Sequence, residues 1–441
     1  MDTRETIVVV GAGFGGLKFV KAVDKKKYRV ILIDRNNYHC FPPLLYQVAS
    51  SGLEPGSITF ALRREMRSRR IRGCEYRMGD VCRIDTARKL VYTQYDTVAY
   101  DRLVLAAGTT NNFFGIPDLE KKVFTMKTIG EAIRLRNRII DRMERASACS
   151  DGLRRRSMLT FAVIGGGPTG VEIAGALGEM KRYIAPREYP ELASSEIRVV
   201  LIEGSDRLLR TMSGRSSADA LKQLGNLMVD VVTGKSMKNY TDGVITFADG
   251  TTLDADTVIW TAGVTARPIE ITGAEPSYGP GGRLMVDEYN RVKGIDSFYA
   301  VGDICCCVSD RYPHGCPQLA QPAIQQGRNL ALNINRGRFD SPFDYKDKGS
   351  MATVGRNRAV VDMGKVHFSG YFAWLTWMGV HLMSLLGMRN KLVVLINWIW
   401  NYWTYSAALR VLLRPAAMPL KSELPGNDKA AHCPANPKKT L

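Results

Sequence analysis

The stretch that decides the fold is Ile7-Val8-Val9-Val10-Gly11-Ala12-Gly13-Phe14-Gly15-Gly16, near the start of the chain. Its β-branched run predicts a buried strand, and the glycines that follow have the G-x-G-x-x-G spacing of a dinucleotide-binding turn. In such a turn Gly11 permits the sharp reversal, Gly13 lets the backbone approach a pyrophosphate, and Gly16 lets the next helix pack closely. A second apolar strand ends in Asp34, where an acid can bind ribose hydroxyls. This context favours a nucleotide site over an ordinary glycine-rich turn.

The same pattern recurs in the middle of the chain. The strand-like run Phe161-Ala162-Val163-Ile164 leads into Gly165-Gly166-Gly167-Pro168-Thr169-Gly170, and a later apolar strand ends in Glu203. Two fingerprints predict two bound dinucleotides. A carboxylate at Glu203 pairs with a ribose 2′-hydroxyl and repels a 2′-phosphate, so we expect NADH rather than NADPH. The long interval before Glu203 predicts an extended helix followed by a loop.

Three further strands end on small or acidic residues. Leu103-Val104-Leu105-Ala106-Ala107-Gly108-Thr109 and Val258-Ile259-Trp260-Thr261-Ala262-Gly263 turn on small residues, which let the backbone pass close to a cofactor. The strand before Gly302-Asp303 ends where a carboxylate can accept a hydrogen bond from a ribityl hydroxyl. An ordinary Gly-Asp turn is the alternative, and the two fingerprints favour the flavin interpretation.

Composition places the chain among globular proteins of two or three domains, at about 150 residues per domain. It has 441 residues and a formal net charge of +18, which favours anionic surfaces of any kind. The sequence has no nucleic-acid-binding signature, so we expect no nucleic-acid partner. Five of the six tryptophans fall near the C-terminus, which favours a membrane surface instead: Trp374, Trp377, Trp398, Trp400 and Trp403.

The C-terminal region contains two uncharged segments, residues 371–388 and 392–409, separated by Arg389-Asn390-Lys391. Each is at the lower limit for a spanning helix. On the second, one face carries Leu392, Ile396, Ile399 and Trp403, and the opposite face carries Asn397, Asn401 and Thr404. This pattern suits a helix lying at the membrane interface, with Lys391, Arg410 and Arg414 at headgroup level. A buried dimer helix and a short spanning hairpin are the alternatives.

Nine cysteines without a CxxC pair indicate a reducing compartment, and the N-terminus has no features of a cleaved export signal. We expect Cys40 and the run Cys305-Cys306-Cys307 to be packing residues, although Cys316 could come near that run. The basic stretch from Ala61 to Leu90 is typical of a solvated face, with attraction to anionic lipid as a secondary hypothesis.

With these motifs in place, the chain resembles the two-dinucleotide flavoproteins, in which an inserted NAD domain interrupts an FAD domain. Three blocks narrow the resemblance: residues 41–49 (FPPLLYQVA), 320–327 (AQPAIQQG) and 347–356 (DKGSMATVGR). They look like the type II NADH dehydrogenases, the NADH:quinone oxidoreductases of bacterial respiratory chains. The resemblance runs from residue 6 to about residue 413.

The resemblance implies an α/β fold with two Rossmann-like dinucleotide-binding domains and C-terminal amphipathic membrane-anchoring helices. We expect the FAD domain in residues 1–115 and 285–350, the NAD domain in 116–284, the anchor in 351–414 and a disordered tail in 415–441. It also implies a homodimer without metal or proton pumping, attached as a peripheral or monotopic protein to the cytoplasmic face of the inner membrane.

The resemblance implies a site in which FAD accepts hydride from NADH and passes electrons to a quinone. Gly11, Gly13, Gly16, Asp34 and Asp303 would contact FAD, Gly165, Gly167, Gly170 and Glu203 would contact NADH, and Ala320, Gln321 and Gln325 would border the quinone head. The predicted cofactor-binding set also includes Arg35, Val81, Ala107, Gly108, Thr109, Gly302, Ala320, Gln321 and Gly263.

Reduction of a quinone consumes two protons as well as two electrons, so a carboxylate near the acceptor would deliver them. Glu172, two residues after the third glycine of the second turn, is the candidate; a first-turn acid stabilised by the helix dipole is the alternative. Gln321 and Gln325 share one helix face and could donate to a quinone carbonyl, although without the resemblance a solvated polar face would be the preferred explanation.

Two other functions fit parts of the sequence. A sulfide:quinone or thiol-linked flavoprotein would use Cys40 or the triple cysteine, and a nucleotide-sensing membrane tether would use the fold without turnover. Both remain alternatives to the NADH:quinone oxidoreductase that the resemblance implies.

Overall fold

Residues 3–404 and 410–412 are described by a computed structural model, and they contain two parallel sheets. The first has five strands in the order Phe298–Ala300, Arg102–Leu105, Glu5–Val10, Tyr28–Asp34 and Cys74–Met78. Core clusters cover both faces of its central strand, with Ile7 and Val9 on one side and Val8 and Val10 on the other. Burial on both faces explains why this strand is a continuous apolar run. An edge strand from residues 298–300 shows that the unit is interrupted in sequence, as predicted.

The second parallel sheet lies between the two parts of the first in sequence. Its strands, in order, are Val229–Thr233, Arg198–Glu203, Thr160–Ile164 and Thr257–Trp260. Helix Pro168–Glu179 follows the second glycine turn and continues through a π-helical turn at Met180–Ile184 into Ala185–Glu188. This continuation confirms the predicted long helix. In each sheet the strand before the glycine turn has a neighbour on both sides, which opens a ligand crevice at the carboxyl ends.

Smaller sheets surround these two units. Two of them are two-stranded and pair Tyr38–Cys40 with Thr59–Ala61 and Thr109–Asn111 with Val264–Ala266. A four-stranded sheet has the order Glu270–Thr272, Val81–Asp85, Leu90–Thr93 and Thr97–Ala99. Two three-stranded sheets have the orders Met237–Thr241, Val244–Phe247, Thr252–Asp254 and Tyr278–Gly279, Arg283–Val286, Cys305–Cys307. The NAD domain was predicted to extend to residue 284. Residues 264–266 and 270–272 already pair with strands of the first unit.

Helices connect and cover the sheets. Helix Ala320–Arg336 packs on helix Phe14–Ala22, which follows the first glycine turn. The other helices before the C-terminal region are Leu45–Ala49, Leu62–Glu65, Leu119–Lys122, Ile129–Ser147, Gly152–Met158 and Gly214–Asn226. Short 3₁₀ turns lie at Pro42–Leu44, Pro55–Ser57, Pro280–Gly282 and Gly302–Ile304.

The C-terminal region begins with an antiparallel sheet of Ser350–Gly355, Arg358–Met363 and Val366–Ser369, followed by helices Tyr371–Ser384 and Met388–Thr404. The break between the helices lies at residues 385–387, where Gly387 has a φ of +77°. The expected separator at residues 389–391 is therefore wrong, because these residues lie inside the second helix. Within the described ranges, we find no helix whose length and apolar character would suffice to cross a membrane.

The second C-terminal helix turns its apolar face outward. Leu392, Ile396, Ile399 and Trp403 are exposed, whereas Asn390 and Trp398 are buried against the body. The predicted apolar face is thus present and unpartnered in the described chain. Arg410, predicted at headgroup level, instead forms an ion pair with Glu188. Arg414 and the predicted disordered tail lie outside the described residues.

Candidate active site

The first glycine turn has the close approaches that its spacing predicted. Gly11 has a φ of +102°, and a Cβ there would lie 2.3 Å from the Ala106 carbonyl oxygen. A Cβ on Gly16 would lie 1.9 Å from the Gly11 oxygen, whereas a Cβ on Gly13 would have no neighbour within 4 Å. The first and third glycines are therefore required for packing, and the second borders open space. We call this turn, with Asp34, the first cradle.

A small cavity of about 50 Å³ lies beside the first cradle. It brings together predicted residues that are distant in sequence: Gly11, Asp34, Arg35, Val81 and Ala107. The Asp34 carboxylate accepts hydrogen bonds from the Ala12 N–H at 2.6 Å and the Asn36 N–H at 2.8 Å. Burial nonetheless raises the pKa of Asp34. The acid therefore holds the turn in shape as well as facing the cavity.

The Gly-Asp segment packs against the same unit. The Gly302 N–H donates to the Gln326 side-chain oxygen at 2.7 Å, which ties this segment to helix Ala320–Arg336. Burial raises the pKa of Asp303, and the Lys127 charge and the Thr109 hydroxyl oppose that rise. The Lys127 ammonium donates to the Thr109 hydroxyl at 2.9 Å. The structure thus brings Thr109, Gly302 and Asp303 together, and Lys127 joins them although no sequence motif marks it.

The second glycine turn repeats the first. Gly165 has a φ of +109°, and a Cβ on Gly170 would lie 1.8 Å from the Gly165 oxygen. Glu203 accepts hydrogen bonds from the Gly166 N–H at 2.5 Å and the Ser205 N–H at 2.8 Å. A Cβ on Gly167 would have no neighbour within 4 Å. We call this turn, with Glu203, the second cradle; Gly263 follows the neighbouring strand with a φ of +80°.

A larger cavity of about 160 Å³ lies between helix Pro168–Glu179 and the two C-terminal helices. Aromatic and polar side chains dominate its lining, among them Tyr46, Gln47, Glu172, Glu179, Thr353, Arg356, Trp374, Trp377, Trp398, Asn401 and Tyr402. We call it the helix cavity. Of these residues the sequence analysis singled out only Glu172 as catalytic. Tyr46, Gln47, Thr353 and Arg356 lie in two of the blocks that carried the resemblance, which was the signal available for them.

Glu172 is the chemically distinctive group of the helix cavity. It is 7% exposed, and burial raises the pKa of its carboxyl to about 8. The carboxyl is therefore largely protonated at neutral pH and can act as a proton donor. The Thr353 N–H and the Trp377 indole N–H face this carboxyl and oppose the rise in its pKa. The cavity thus offers an acidic proton to a bound molecule.

Hydrogen bonds fasten the C-terminal helices to the body around this cavity. The Trp398 indole donates to the Gln47 side-chain oxygen at 2.8 Å, and the Gln47 amide donates to the Tyr46 hydroxyl at 2.7 Å. Asn401 donates to the Gly52 carbonyl at 3.0 Å. One wall of the cavity is therefore held by side chains from opposite ends of the sequence.

The two predicted glutamines lie on helix Ala320–Arg336, outside the residues that line the helix cavity. The Gln325 amide donates to the Lys346 carbonyl at 2.9 Å and accepts from the Lys346 N–H at 3.1 Å. Gln321 is half-buried, as is Ala320 beside it. The assignment of these residues to the quinone site stays a prediction.

The cysteines are placed as packing residues. Burial raises the pKa of Cys40 and of Cys305 to about 12, so neither forms a thiolate readily at neutral pH. Cys305–Cys307 form a buried strand, and the Cys316 N–H donates to the Cys307 carbonyl at 3.1 Å. Within the described ranges, no group of His, Cys, Asp or Glu could hold a metal ion.

Comparisons with known proteins agree with this architecture. The family model for pyridine nucleotide-disulphide oxidoreductases matches residues 5–327, and that for the NDH2 C-terminal domain matches residues 348–404. Two Mycobacterium tuberculosis proteins named type II NADH:quinone oxidoreductases, NdhA and Ndh, are 35% and 34% identical, over 90% of this chain and 86% and 87% of their own lengths.

Solved structures show the same fold. NDH2 from Plasmodium falciparum in complex with NADH aligns with a TM-score of 0.84 at 23% identity, covering 93% of this chain and all of that one. The sulfide:quinone oxidoreductase of Aquifex aeolicus aligns with a TM-score of 0.69 at 15% identity, covering 91% and 96%. The expectation drawn from the three sequence blocks is confirmed: the chain belongs to the pyridine nucleotide-disulphide oxidoreductases and, among them, to the type II NADH:quinone oxidoreductases.

Proposed function

We propose that this membrane-associated enzyme transfers two electrons from NADH to a quinone, with FAD in the first cradle and NADH in the second. The observation that carries the proposal is the position of Glu172. Its helix begins at the second cradle, and its protonated carboxyl lines the helix cavity. One helix thereby links the site for the electron donor to a site that can protonate the acceptor.

The first cradle suits a flavin dinucleotide. Open space beside Gly13 and Gly108 leaves room for a ligand next to the backbone, and Asp303, Thr109 and Lys127 form a polar cluster for ribityl or phosphate oxygens. Asp34, Arg35, Val81 and Ala107 would hold the opposite end. When bound, FAD supplies the two-electron chemistry that no side chain provides.

The second cradle suits NADH. The Glu203 carboxylate orients the turn through the Gly166 N–H, and its charge disfavours the 2′-phosphate of NADPH. Gly165, Gly167 and Gly170 let the pyrophosphate approach the helix N-terminus, where its charge is stabilised. Gly263, which follows the neighbouring strand, packs against the Phe114 ring, and a Cβ there would lie 2.5 Å from that ring.

The helix cavity suits the quinone head. Glu172 would donate a proton to a reduced quinone oxygen, and the Trp377 indole N–H, which faces the Glu172 carboxyl, would orient that group. Ala320, Gln321 and Gln325 would border the ring from the side of the first cradle. The absence of proton pumping, which the resemblance implies, is part of this proposal.

The outward faces of the C-terminal helices would enter lipid at the cytoplasmic face of the inner membrane. They expose large apolar side chains: Phe372, Met383, Met388, Leu392, Ile396, Ile399, Trp400 and Trp403. A patch of this kind suits insertion to interfacial depth. The predicted homodimer and domain limits are part of this proposal.

Anaerobic flavin spectroscopy tests the proposal directly. NADH should bleach the visible absorbance of the bound flavin, and a short-chain quinone should restore it. A yellow protein that NADH leaves unbleached would contradict the proposal. Sulfide in place of NADH serves as the control, because buried Cys40 and Cys305 provide no accessible thiolate for a sulfide-oxidising reaction.

A further inference from the structure

A segment of the first unit, residues 63–72, carries a high density of positive charge. Six of its ten residues are arginines, and its single acid, Glu65, pairs with Lys21 at 2.8 Å. The arginines are all exposed: Arg63, Arg64, Arg67, Arg69, Arg70 and Arg72. We call residues 63–72 the arginine segment. Its charge is not neutralised within the described part of the chain.

The arginine segment lies directly beside the C-terminal helices. The strand Thr59–Ala61 leads into it, and Asn390 of the second C-terminal helix donates to the Thr59 carbonyl at 2.7 Å. A Cβ on Gly387 would lie 2.4 Å from the Phe60 ring. The Arg64 guanidinium lies 5.7 Å from the centre of that same ring. The segment therefore borders the loop that joins the two helices.

Packing inside the protein fixes this arrangement. Ile71 is fully buried, and Met66 and Leu386 pack in the same core cluster. Close to this junction the helices expose Met383 and Met388, each 71% accessible. An exposed apolar face is thus bordered by a row of guanidinium groups that the core holds in place.

We propose that the arginine segment binds the phosphate groups of anionic phospholipids while the adjoining helices insert their apolar face into the same membrane. The inference rests on the proposed membrane attachment and adds a preference for lipid charge to it. Guanidinium groups bind phosphate oxygens through paired hydrogen bonds, and cations at the edge of an inserted apolar face lie at headgroup depth. A nucleic acid or acidic protein would not explain the apolar face beside the charges.

The stacked arginines and the free ones differ in what they contribute. Arg63 lies over the Tyr76 ring at 5.3 Å, as Arg64 does over Phe60, so both also contribute to packing. Arg67, Arg69 and Arg70 make no ion pair or ring contact in the described part of the chain. Substituting these three removes charge with little effect on the fold.

Vesicle co-sedimentation with the full chain tests the proposal. The test variant is Arg67→Gln/Arg69→Gln/Arg70→Gln, and the matched control, Lys122→Gln/Lys238→Gln/Lys293→Gln, removes three exposed lysines elsewhere. Each arginine near an anionic surface strengthens binding about fivefold. We expect the test variant to bind phosphatidylglycerol-containing vesicles at least about tenfold more weakly than the unchanged chain, with the difference shrinking in high salt. Binding to pure phosphatidylcholine should not change, and flavin content should be retained.

The outcomes separate this inference from membrane attachment itself. Ile396→Glu on the apolar face should weaken binding to both kinds of vesicle, which tests attachment alone. An equal loss in the arginine variant and the lysine control would assign the effect to net charge and overturn the proposal. An unchanged lipid preference in the arginine variant would also overturn it, and would direct the segment to an acidic protein or a nucleic acid.

Discussion

The two cradles share one backbone design but differ in what encloses them. The first is covered by a helix from the distant end of the same unit: a Cβ on Gly327 would lie 2.3 Å from the Gly15 oxygen. At the second, a loop packs on Gly166, with the Leu209 N–H donating to the Gly166 carbonyl at 2.8 Å. A ligand in the first cradle would therefore lie beside the helix that contains Gly327, whereas one in the second would border the loop that contains Leu209. We infer that the retained cofactor occupies the first cradle and the exchanging substrate the second.

The helices that follow the two glycine turns also carry different residues at an equivalent position. The position two residues after the third glycine is Lys18 in the first helix and Glu172 in the second. The second helix packs tightly on the C-terminal sheet, because a Cβ on Gly175 would lie 1.9 Å from the Val354 oxygen. That contact buries Glu172, while Lys18 stays partly exposed. The equivalent helix position is thus a partly exposed lysine in the first unit and a buried, protonated carboxyl in the second.

The largest effect should come from Glu172→Gln, which removes the proton donor of the second helix. We expect kcat with quinone to fall about 100-fold, in line with the loss of a general acid, while NADH still bleaches the flavin. In the unchanged enzyme, quinone reduction should slow as pH rises through about 8, because the Glu172 carboxyl then loses its proton. The variant should lack this pH dependence. Stopped-flow measurement of both half-reactions checks the prediction, with exposed Glu275→Gln as the control.

The next-largest effects are expected from Gly16→Ala in the first cradle and Gly170→Ala in the second. These two variants compare the cradles directly. Each adds a Cβ that would lie within 2 Å of a backbone oxygen, at 1.9 Å and 1.8 Å respectively, and overpacking of this kind costs about 1–3 kcal/mol. We expect the first variant to purify with about a twentieth of the normal flavin. The second should keep its flavin and bind NADH about 20-fold more weakly.

The flavin-to-protein absorbance ratio and an NADH titration measure the two outcomes. Gly130→Ala is the matched control, since a Cβ there has no neighbour within 4 Å. Loss of flavin from Gly170→Ala would show that the cradles do not bind their ligands independently.

A smaller effect is expected for the acid of the second cradle. Glu203→Gln keeps an oxygen that can accept from the Gly166 N–H but removes the charge that repels a 2′-phosphate. We expect the preference for NADH over NADPH, measured as the ratio of kcat/KM values, to fall about tenfold. Unchanged selectivity would refute the assigned function of Glu203. Asp34→Gln in the first cradle should leave this ratio unchanged.

The smallest effects are expected for substitutions in helix Ala320–Arg336, which covers only the first cradle. Gln321→Leu should raise KM for the quinone about threefold, which corresponds to the loss of one hydrogen bond of roughly 0.5–1.5 kcal/mol. Gln325→Leu should in addition lower the thermal midpoint, because the Gln325 amide pairs with the Lys346 backbone. Quinone kinetics and differential scanning fluorimetry on both variants separate binding from support of the loop. An equal rise in KM for both would assign them a shared function.

Packing constraints between residues close in sequence explain which parts of the fold could be predicted. Gly11, Gly16 and Asp34 lie within one strand-turn-helix-strand unit, so their spacing alone reports the packing that requires them. The interrupted order of the first sheet was expected from the resemblance, in which an inserted NAD domain divides the FAD domain, and the structure confirms it. The helix break at Gly387 was missed since the charged residues at 389–391 gave a stronger signal than one glycine.

The candidate site was harder to predict because its parts come together only in the tertiary structure. Lys127 reaches Thr109 and Asp303 from a segment without a motif. The helix cavity combines Tyr46, Glu172 and Trp398 from three separate regions. The spacing of residues along the sequence cannot predict contacts between separate regions of the chain. Resemblance suggested Glu172, and burial by the C-terminal helices explains why that carboxyl holds its proton.

The C-terminal helices have an outer apolar face and an inner face that lines the helix cavity. A lipophilic acceptor dissolved in the bilayer would therefore meet its site from within the plane of the membrane. Turnover should then depend on the mole fraction of quinone in the lipid phase and fall when extra lipid dilutes it at constant total quinone. Detergent molecules that coat the same face would act as diluents too, so kinetic constants measured in micelles would vary with detergent concentration.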